Sequence, residues 1–239
     1  MACLRRELIS IPAVVFQMLE KHQYKVIRWW PSAKREVKLM GYSIPLMCAD
    51  LGAPPAPYLF ASDAEGANWK DAGGYGIVGA QATTSQVEAA IAATGTHGYT
   101  VARLDGSLNN LKDVRKELKC KIPVSKVPRE ILESRTLQWK VLDHRRWRMA
   151  DHITLGEGRA TVRLLQLLAR FPETHRCVVA CLEDNEPWAA AVCKGRSPKS
   201  TMNRLLRIKA GLGLATDIKL SLPWVDTKHQ PADWISRVK

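Results

Sequence analysis

The sequence predicts an α/β domain. Short apolar runs of strand length alternate with longer stretches in which leucine recurs at helical spacing, and glycine, proline or an acid stands at the joins. Taken in order, a helical stretch from Leu8 to Glu20 comes first. Trp29-Trp30-Pro31 and a second helical run through Val37 and Leu39 follow. The proline-rich Gly52 to Pro57 reads as a linker or an extended entry into a strand. Tyr58-Leu-Phe-Ala-Ser-Asp63 and Gly73 to Ala80 then read as strand, turn, strand. Val87 to Ala93 is small-residue and alanine-rich, a helical pattern, Gly98 to Leu104 suits a strand, and Lys121 to Pro128 is extended. Trp139 to Arg148 supplies the third strand. The block Ile153-Thr-Leu-Gly-Glu157 opens a helix carried by Leu164, Leu165, Leu167 and Leu168 up to Arg170 and Pro172, which places Glu157 in a first helical turn. Cys177 to Leu182 is a strand that runs out at Asp184, Leu205, Leu206 and Ile208 mark an amphipathic helix, and Ile218 to Val225 alternates as a last strand. Pro231 suits the start of a short helix at Asp233.

Four carboxylates, Asp63, Glu157, Asp184 and Asp233, thus stand at two strand ends and two helix starts, positions able to converge at one end of a sheet. Hydrolysis of a phosphodiester needs an activated water and a stabilised leaving oxygen, and two divalent ions about 4 Å apart supply both. Mg²⁺ takes few carboxylate ligands and keeps several waters, so an acid cluster without His or Cys suits it, with Mn²⁺ as a substitute. Taken singly, any one of the 23 acids after a strand is as readily a turn or cap residue; the four in order carry the inference.

The segments Ala61-Ser-Asp63-Ala-Glu with Gly73-Gly-Tyr-Gly, Leu155-Gly-Glu157-Gly-Arg-Ala, Leu182-Glu-Asp184-Asn185, Lys194-Gly-Arg-Ser197 and Trp224-Val-Asp-Thr-Lys-His-Gln-Pro-Ala-Asp233-Trp-Ile-Ser-Arg237 resemble, in that order, the ribonuclease H domain of retrotransposon reverse transcriptase polyproteins, the DIRS-like elements most closely. The likeness covers residues 56 to 239. It implies an RNase H-like fold, a five-stranded mixed sheet flanked by helices, and cleavage of the RNA strand of an RNA/DNA hybrid with Asp63, Glu157, Asp184 and Asp233 as metal ligands. It also implies that residues 1–55 are an N-terminal helical extension, a remnant of a polymerase thumb or connection or an adaptor covering the sheet. The polymerase part of the same polyprotein is then an expected partner. Three departures stand out. Asp63-Ala-Glu65 replaces Asp-Ala-Ser, Gln230-Pro-Ala-Asp replaces Asn-Pro-Ala-Asp, and the distance from Asp63 to Glu157 requires an insertion between the second and third strands, at about 81–136. His229 reads as a loop histidine or as a proton shuttle near the last acid.

Composition points to the same class of partner. Thirty-six Lys and Arg against 23 acids give a net charge of +13 and a pI near 9.7, the balance of a chain that meets a polyanion. No acid occurs from Trp188 to Thr216. Lys194, Arg196, Lys199, Arg204 and Arg207 crowd that stretch and are candidates, with Asn185, for nucleic-acid contact. Arg145, Arg146 and Arg148 around Trp147 form a second cluster, suited to phosphates and stacked bases. A solvated helix face is the competing reading of the first cluster. Asn185, Glu65 and Gln230 are read as contacts to a 2′-hydroxyl, the group by which a hybrid's RNA strand is told apart, as groups that orient a ligand, or as turn caps.

The absence of an 18-residue apolar run, and of a long apolar leader at Met1, argues against a membrane span and against secretion. The six cysteines lack zinc or CxxC spacing and read as reduced core residues of an intracellular chain, in cytoplasm or nucleus. No Tyr-x-Asp-Asp polymerase motif is present. The alternatives are an inactive nucleic-acid-binding fragment of the same fold, and a DNA-directed nuclease or integrase of the same superfamily.

Overall fold

A computed structural model describes residues 5–23, 25–67, 72–94 and 127–237. Its centre is a five-stranded sheet: β1 (Pro55–Glu65), β2 (Gly74–Gln81), β3 (Lys140–Arg146), β4 (Val178–Leu182) and β5 (Lys219–Ser221). Strand order is β3-β2-β1-β4-β5. The first three strands form an antiparallel meander, and β4 and β5 add in parallel on the other side of β1. The expected mixed five-stranded sheet flanked by helices is therefore present. Parallel strands need crossover connections, and helices provide them between β1 and β4 and between β4 and β5.

Helices cover both faces. On one lie α5 (Ile153–Leu168), α6 (Glu186–Lys194) and α7 (Ser200–Thr216), where Leu164, Leu165, Trp188 and Leu206 meet Phe60, Ile77, Val179 and Cys181. On the other lie α3 (Thr84–Ala92), α4 (Arg129–Leu132) and α8 (Asp233–Ser236), where Val87, Ala90, Ile131 and Ile235 meet Leu59, Ala61, Val78 and Leu182. Alternate residues of β1 and β4 enter opposite cores, so both central strands are apolar on both faces, the expected pattern for covered parallel pairing.

The described part of the segment expected at 81–136 comprises α3, closed by a capping box between Thr83 and Gln86, and α4. The strand expected at Gly98 to Leu104 and most of the extended Lys121 to Pro128 lie outside the described residues. Three element expectations are corrected. The helix expected from Leu8 to Glu20 is split into a 3₁₀ turn at Arg6–Ser10 and α1 (Ala13–Lys21), because Pro12 lacks the N–H that an uninterrupted helix would use. The last strand stops at Ser221, Pro223 being unable to donate to a ladder, and pairing resumes only as a bridge between Glu183 and Trp224. Glu157 lies in the second turn of α5, since the His152 side chain caps the helix by accepting from the Thr154 N–H.

The N-terminal residues, expected as a cover for the sheet, pack instead on the helix layer. Leu8, Ile11 and Met47 form a small core with Met40 of α2 (Pro31–Ser43) and Leu214 of α7. Arg207 donates to the Ser10 carbonyl (2.9 Å), the Ile11 carbonyl (2.8 Å) and Glu36 (2.6 Å). Buried Arg5 reaches the Cys48 carbonyl and Asp217. Gly195 ends α6 with φ +68°, and a Cβ there would stand 1.9 Å from the Arg6 carbonyl oxygen. Of the four described cysteines only Cys181 is buried, Cys48 is exposed, and none of the four forms a disulfide.

Gly76 sits opposite Asp63 on β2, where a Cβ would come within 2.2 Å of Ile235 Cγ2 and 2.7 Å of the Ser236 N. Replacing it by alanine forces α8 off the sheet, and chemical denaturation of Gly76→Ala is expected to show a loss of about 1–3 kcal/mol.

Candidate metal centre

Asp63 is two residues from the C-terminal end of β1, beside the carboxyl end of β4, the edge at which open α/β sheets place their sites. Asp184 follows β4 by two residues, and Asn185 turns the chain into α6 by accepting the Trp188 N–H at 3.0 Å. Helix α5 brings Glu157 against the same edge, and α8 brings Asp233. Gln230 fixes the two strand ends, its amide donating to the Ser62 carbonyl (3.2 Å) and the Leu182 carbonyl (3.4 Å). Each of those carbonyls lies within two residues of an acid, so Gln230 sets their spacing. Neither bond is a turn cap, since both run to carbonyls of the two central strands.

Asp63, Glu157 and Asp184 each offer a carboxylate oxygen, and these atoms lie within 4.8 Å of one another. This trio could hold a metal ion. A cleft of about 380 Å³ opens onto it, lined also by Glu65, Asn185, Thr227, Asp233 and Arg237. Asp233 thus reaches the cleft but not the trio, its carboxylate receiving the Arg237 guanidinium at 2.6 and 3.0 Å.

Burial and crowding raise the trio's proton affinity. Asp63 is 5% exposed, and desolvation lifts its pKa to about 6, opposed by the Ser236 hydroxyl that donates to it and reinforced by Asp184 and Asp233. Glu157, 3% exposed, is pushed well above the usual carboxylate range by desolvation, then by Glu183, Asp63 and Asp184. Asp184 is also raised, mainly by desolvation, while the Thr227 side chain holds it down. Glu157 Oε2 is buried with no hydrogen-bond partner. A buried, unsatisfied carboxylate oxygen costs several kcal/mol unless something compensates it, and an all-oxygen donor set fits a hard divalent cation.

The basic residues occupy other places. Lys194, Arg196, Lys199 and Arg204 are exposed, on α6, α7 and the loop between them, and none lines the acid cleft. Arg196 lies over the Phe16 ring at 5.4 Å, and Arg207 is engaged by the N-terminal segment as described. The Arg145, Arg146 and Arg148 cluster lines a second cleft of about 420 Å³ with Tyr75, Trp147, Arg159 and Arg163. Trp147 stacks with Tyr75 at 4.8 Å and has Arg159 5.9 Å from its centroid, so it stands in a ring stack rather than free for a base. Glu65 joins the two clefts: it lines the first and pairs with Arg146 of the second at 2.5 Å. His229 faces Glu133 at 3.8 Å and is not among the cleft-lining residues.

Four contributors were not read from the sequence: Ser236, Glu183, Thr227 and Arg237. Ser236 lies three residues beyond an acid already singled out, and Glu183 immediately precedes Asp184 at the end of an apolar run. The second could have been found, since a charged residue in that run is out of place unless it works there.

No helix among the described residues is long and apolar enough to cross a membrane. In comparisons with protein-family models, with curated proteins and with solved structures, nothing matched this chain.

An acid whose folded pKa lies above its unfolded value stabilises the fold at low pH and loses that contribution as pH rises. For Asp63 the window runs from about pH 4 to about pH 6, and above it the ionised group costs about 3 kcal/mol in the metal-free protein. Asp63→Asn should therefore melt higher than wild type at pH 7.5 without metal, with the difference vanishing near pH 4. Calorimetry across that range checks it. Affinity for Mn²⁺, read by isothermal titration, should rise with pH through about 6 as Asp63 loses its proton.

Proposed function

We propose that this chain is a ribonuclease H, a metal-dependent endonuclease that cuts the RNA strand of RNA/DNA hybrids during reverse transcription of a DIRS-like retrotransposon. The observation that carries the reading is the convergence of Asp63, Glu157 and Asp184 from three separate elements within 4.8 Å, with a buried Glu157 oxygen left without a partner. The antiparallel meander extended by two parallel strands is compatible with an RNase H-like fold.

Asp63, Glu157 and Asp184 would hold the cation, and Asp233 at the cleft wall would complete the acidic set. Mg²⁺ bound there supplies the positive charge that activates water and stabilises the departing oxygen of a phosphodiester. The protein's own part is to hold the carboxylates in place: Ser236 and Thr227 orient Asp63 and Asp184 by hydrogen bonds, Gln230 spaces the strand ends, and Arg237 restrains Asp233.

The cleft is open on one side, as a polymeric substrate requires. The second, arginine-lined cleft is joined to it through Glu65 and Arg146, and its charge suits phosphates, which supports a path for the nucleic-acid strand there. Lys194, Arg196, Lys199 and Arg204 extend the basic surface. Recognition of a hybrid would rest on groove shape and the 2′-hydroxyl, with Asn185 placed in the cleft wall.

An end-labelled RNA/DNA hybrid in Mg²⁺ or Mn²⁺ should be cut in its RNA strand alone, against matched DNA and RNA duplexes as controls. Asp63→Asn and Asp184→Asn should each lower the rate by about 10²-fold or more. Cleavage of the DNA duplex would favour a DNA-directed nuclease, and binding without cleavage by either metal would favour the inactive fragment. Arg148→Ala should weaken hybrid binding and lessen the slope of log K against log salt by about 1, measured by fluorescence anisotropy.

A further inference from the structure

Asp184 is half-exposed, whereas its neighbour Glu183 is 0% exposed. The alternation of β4 turns Glu183 to the face occupied by Val179 and Cys181, into the core beneath α5 and α6. Its Oε1 accepts the Asn185 backbone N–H at 3.1 Å, and its Oε2 lies 3.4 Å from the Thr161 hydroxyl. Thr161 is one turn beyond Glu157 on α5, bonds to the Glu157 carbonyl at 3.0 Å and receives the Trp188 indole N–H at 3.0 Å. The backbone of Glu183 donates to the Pro223 carbonyl (3.1 Å) and accepts from the Val225 N–H (3.0 Å). That segment leads to Thr227, the partner of Asp184. One residue therefore ties together the turn of α5 that carries Glu157, the turn that carries Asp184 and Asn185, and the segment after β5 that leads to Thr227.

The partners of the carboxyl in these bonds are neutral, and a carboxyl in an apolar layer without a cation is costly. An unbranched apolar side chain of similar volume would serve the core better. From this geometry we infer that Glu183 is a positioning residue of the candidate metal centre: it holds Glu157 and Asp184 at the separation that lets both reach one cation, and it is not itself a ligand. Both of its oxygens face Asn185 and Thr161, and it does not line the cleft. The inference rests on the reading of the acid trio as a metal site.

Glutamine at 183 keeps an acceptor for the Asn185 N–H and a polar atom for Thr161, whereas methionine keeps only volume. The test measures Mn²⁺ affinity by isothermal titration and melting temperature by calorimetry for wild type, Glu183→Gln and Glu183→Met. The expected result is a loss of about tenfold or more in Mn²⁺ affinity for Glu183→Met, the range for partners that orient metal ligands, with a melting temperature equal to or above wild type. Glu183→Gln should bind Mn²⁺ within about threefold of wild type on the same reasoning, since the orienting bonds remain. A Glu183→Met protein that melts lower yet binds Mn²⁺ as wild type does would overturn the inference and leave Glu183 a core residue. Equal losses in both variants would overturn it differently, by making the charge and not the hydrogen bonds the active feature. Wild-type protein that binds no Mn²⁺ would sink the metal-site reading itself, and this inference with it.

Discussion

Crowded carboxylates at one edge of the sheet are the constraint on which the surrounding structure depends. Asp63, Glu157, Glu183 and Asp184 stand close enough to raise one another's proton affinity, and three of the four are almost fully buried. Like charges at low exposure repel, so nothing local would keep them together. They are held by elements that are stable for other reasons. The β1–β4 pairing, the apolar flank of α5 and the close approach of α8 over Gly76 bring the acids into one place, and neutral donors such as Ser236, Thr227 and the Asn185 N–H make part of the charge tolerable. Glu157 Oε2 is left buried without a hydrogen-bond partner, at a trio that could hold a metal ion.

That arrangement separates the part of the molecule that is stable from the part that is costly. Two cores, one on each face of the sheet, supply the cohesion. The acid edge gives some of it back, as preorganised sites commonly do. Glu183 is the clearest case, because its place in the strand pattern calls for an apolar side chain and its bonds run to the acid-bearing turns instead.

The positive charge divides in a similar way. The sequence leaves the Lys and Arg residues between Trp188 and Thr216 either to a polyanionic partner or to a solvated helix face. In the folded chain, the exposed Arg207 is instead hydrogen-bonded to the N-terminal segment through Ser10, Ile11 and Glu36, and the buried Lys209 lies near Glu7 of the same segment. Within that stretch, the exposed basic residues that do not hydrogen-bond to the N-terminal segment are Lys194, Arg196, Lys199 and Arg204. The extension and the α/β domain thus share a basic interface built from the same helix.

The strands and helices that carry the acids could be read from the sequence because their signals are local: apolar alternation, leucine at helical spacing, Pro231 before a short helix. The order of the four acids was legible for the same reason. What depended on distance in space was not. No pattern within the N-terminal segment says that it will lie on α7 rather than on the sheet, since that follows from which helix face leaves a gap, and no local signal commits Arg207 to two carbonyls nearly two hundred residues away. Nor does sequence distinguish Asp233, at the cleft wall with Arg237, from the three acids whose oxygens meet. The sequence by itself determined which carboxylates sit at the ends of which elements, because periodicity places them there. Only the tertiary structure decided which of them share a site and that Glu183 lies beneath them, because strand register and helix packing, not spacing along the chain, set the distances between side chains.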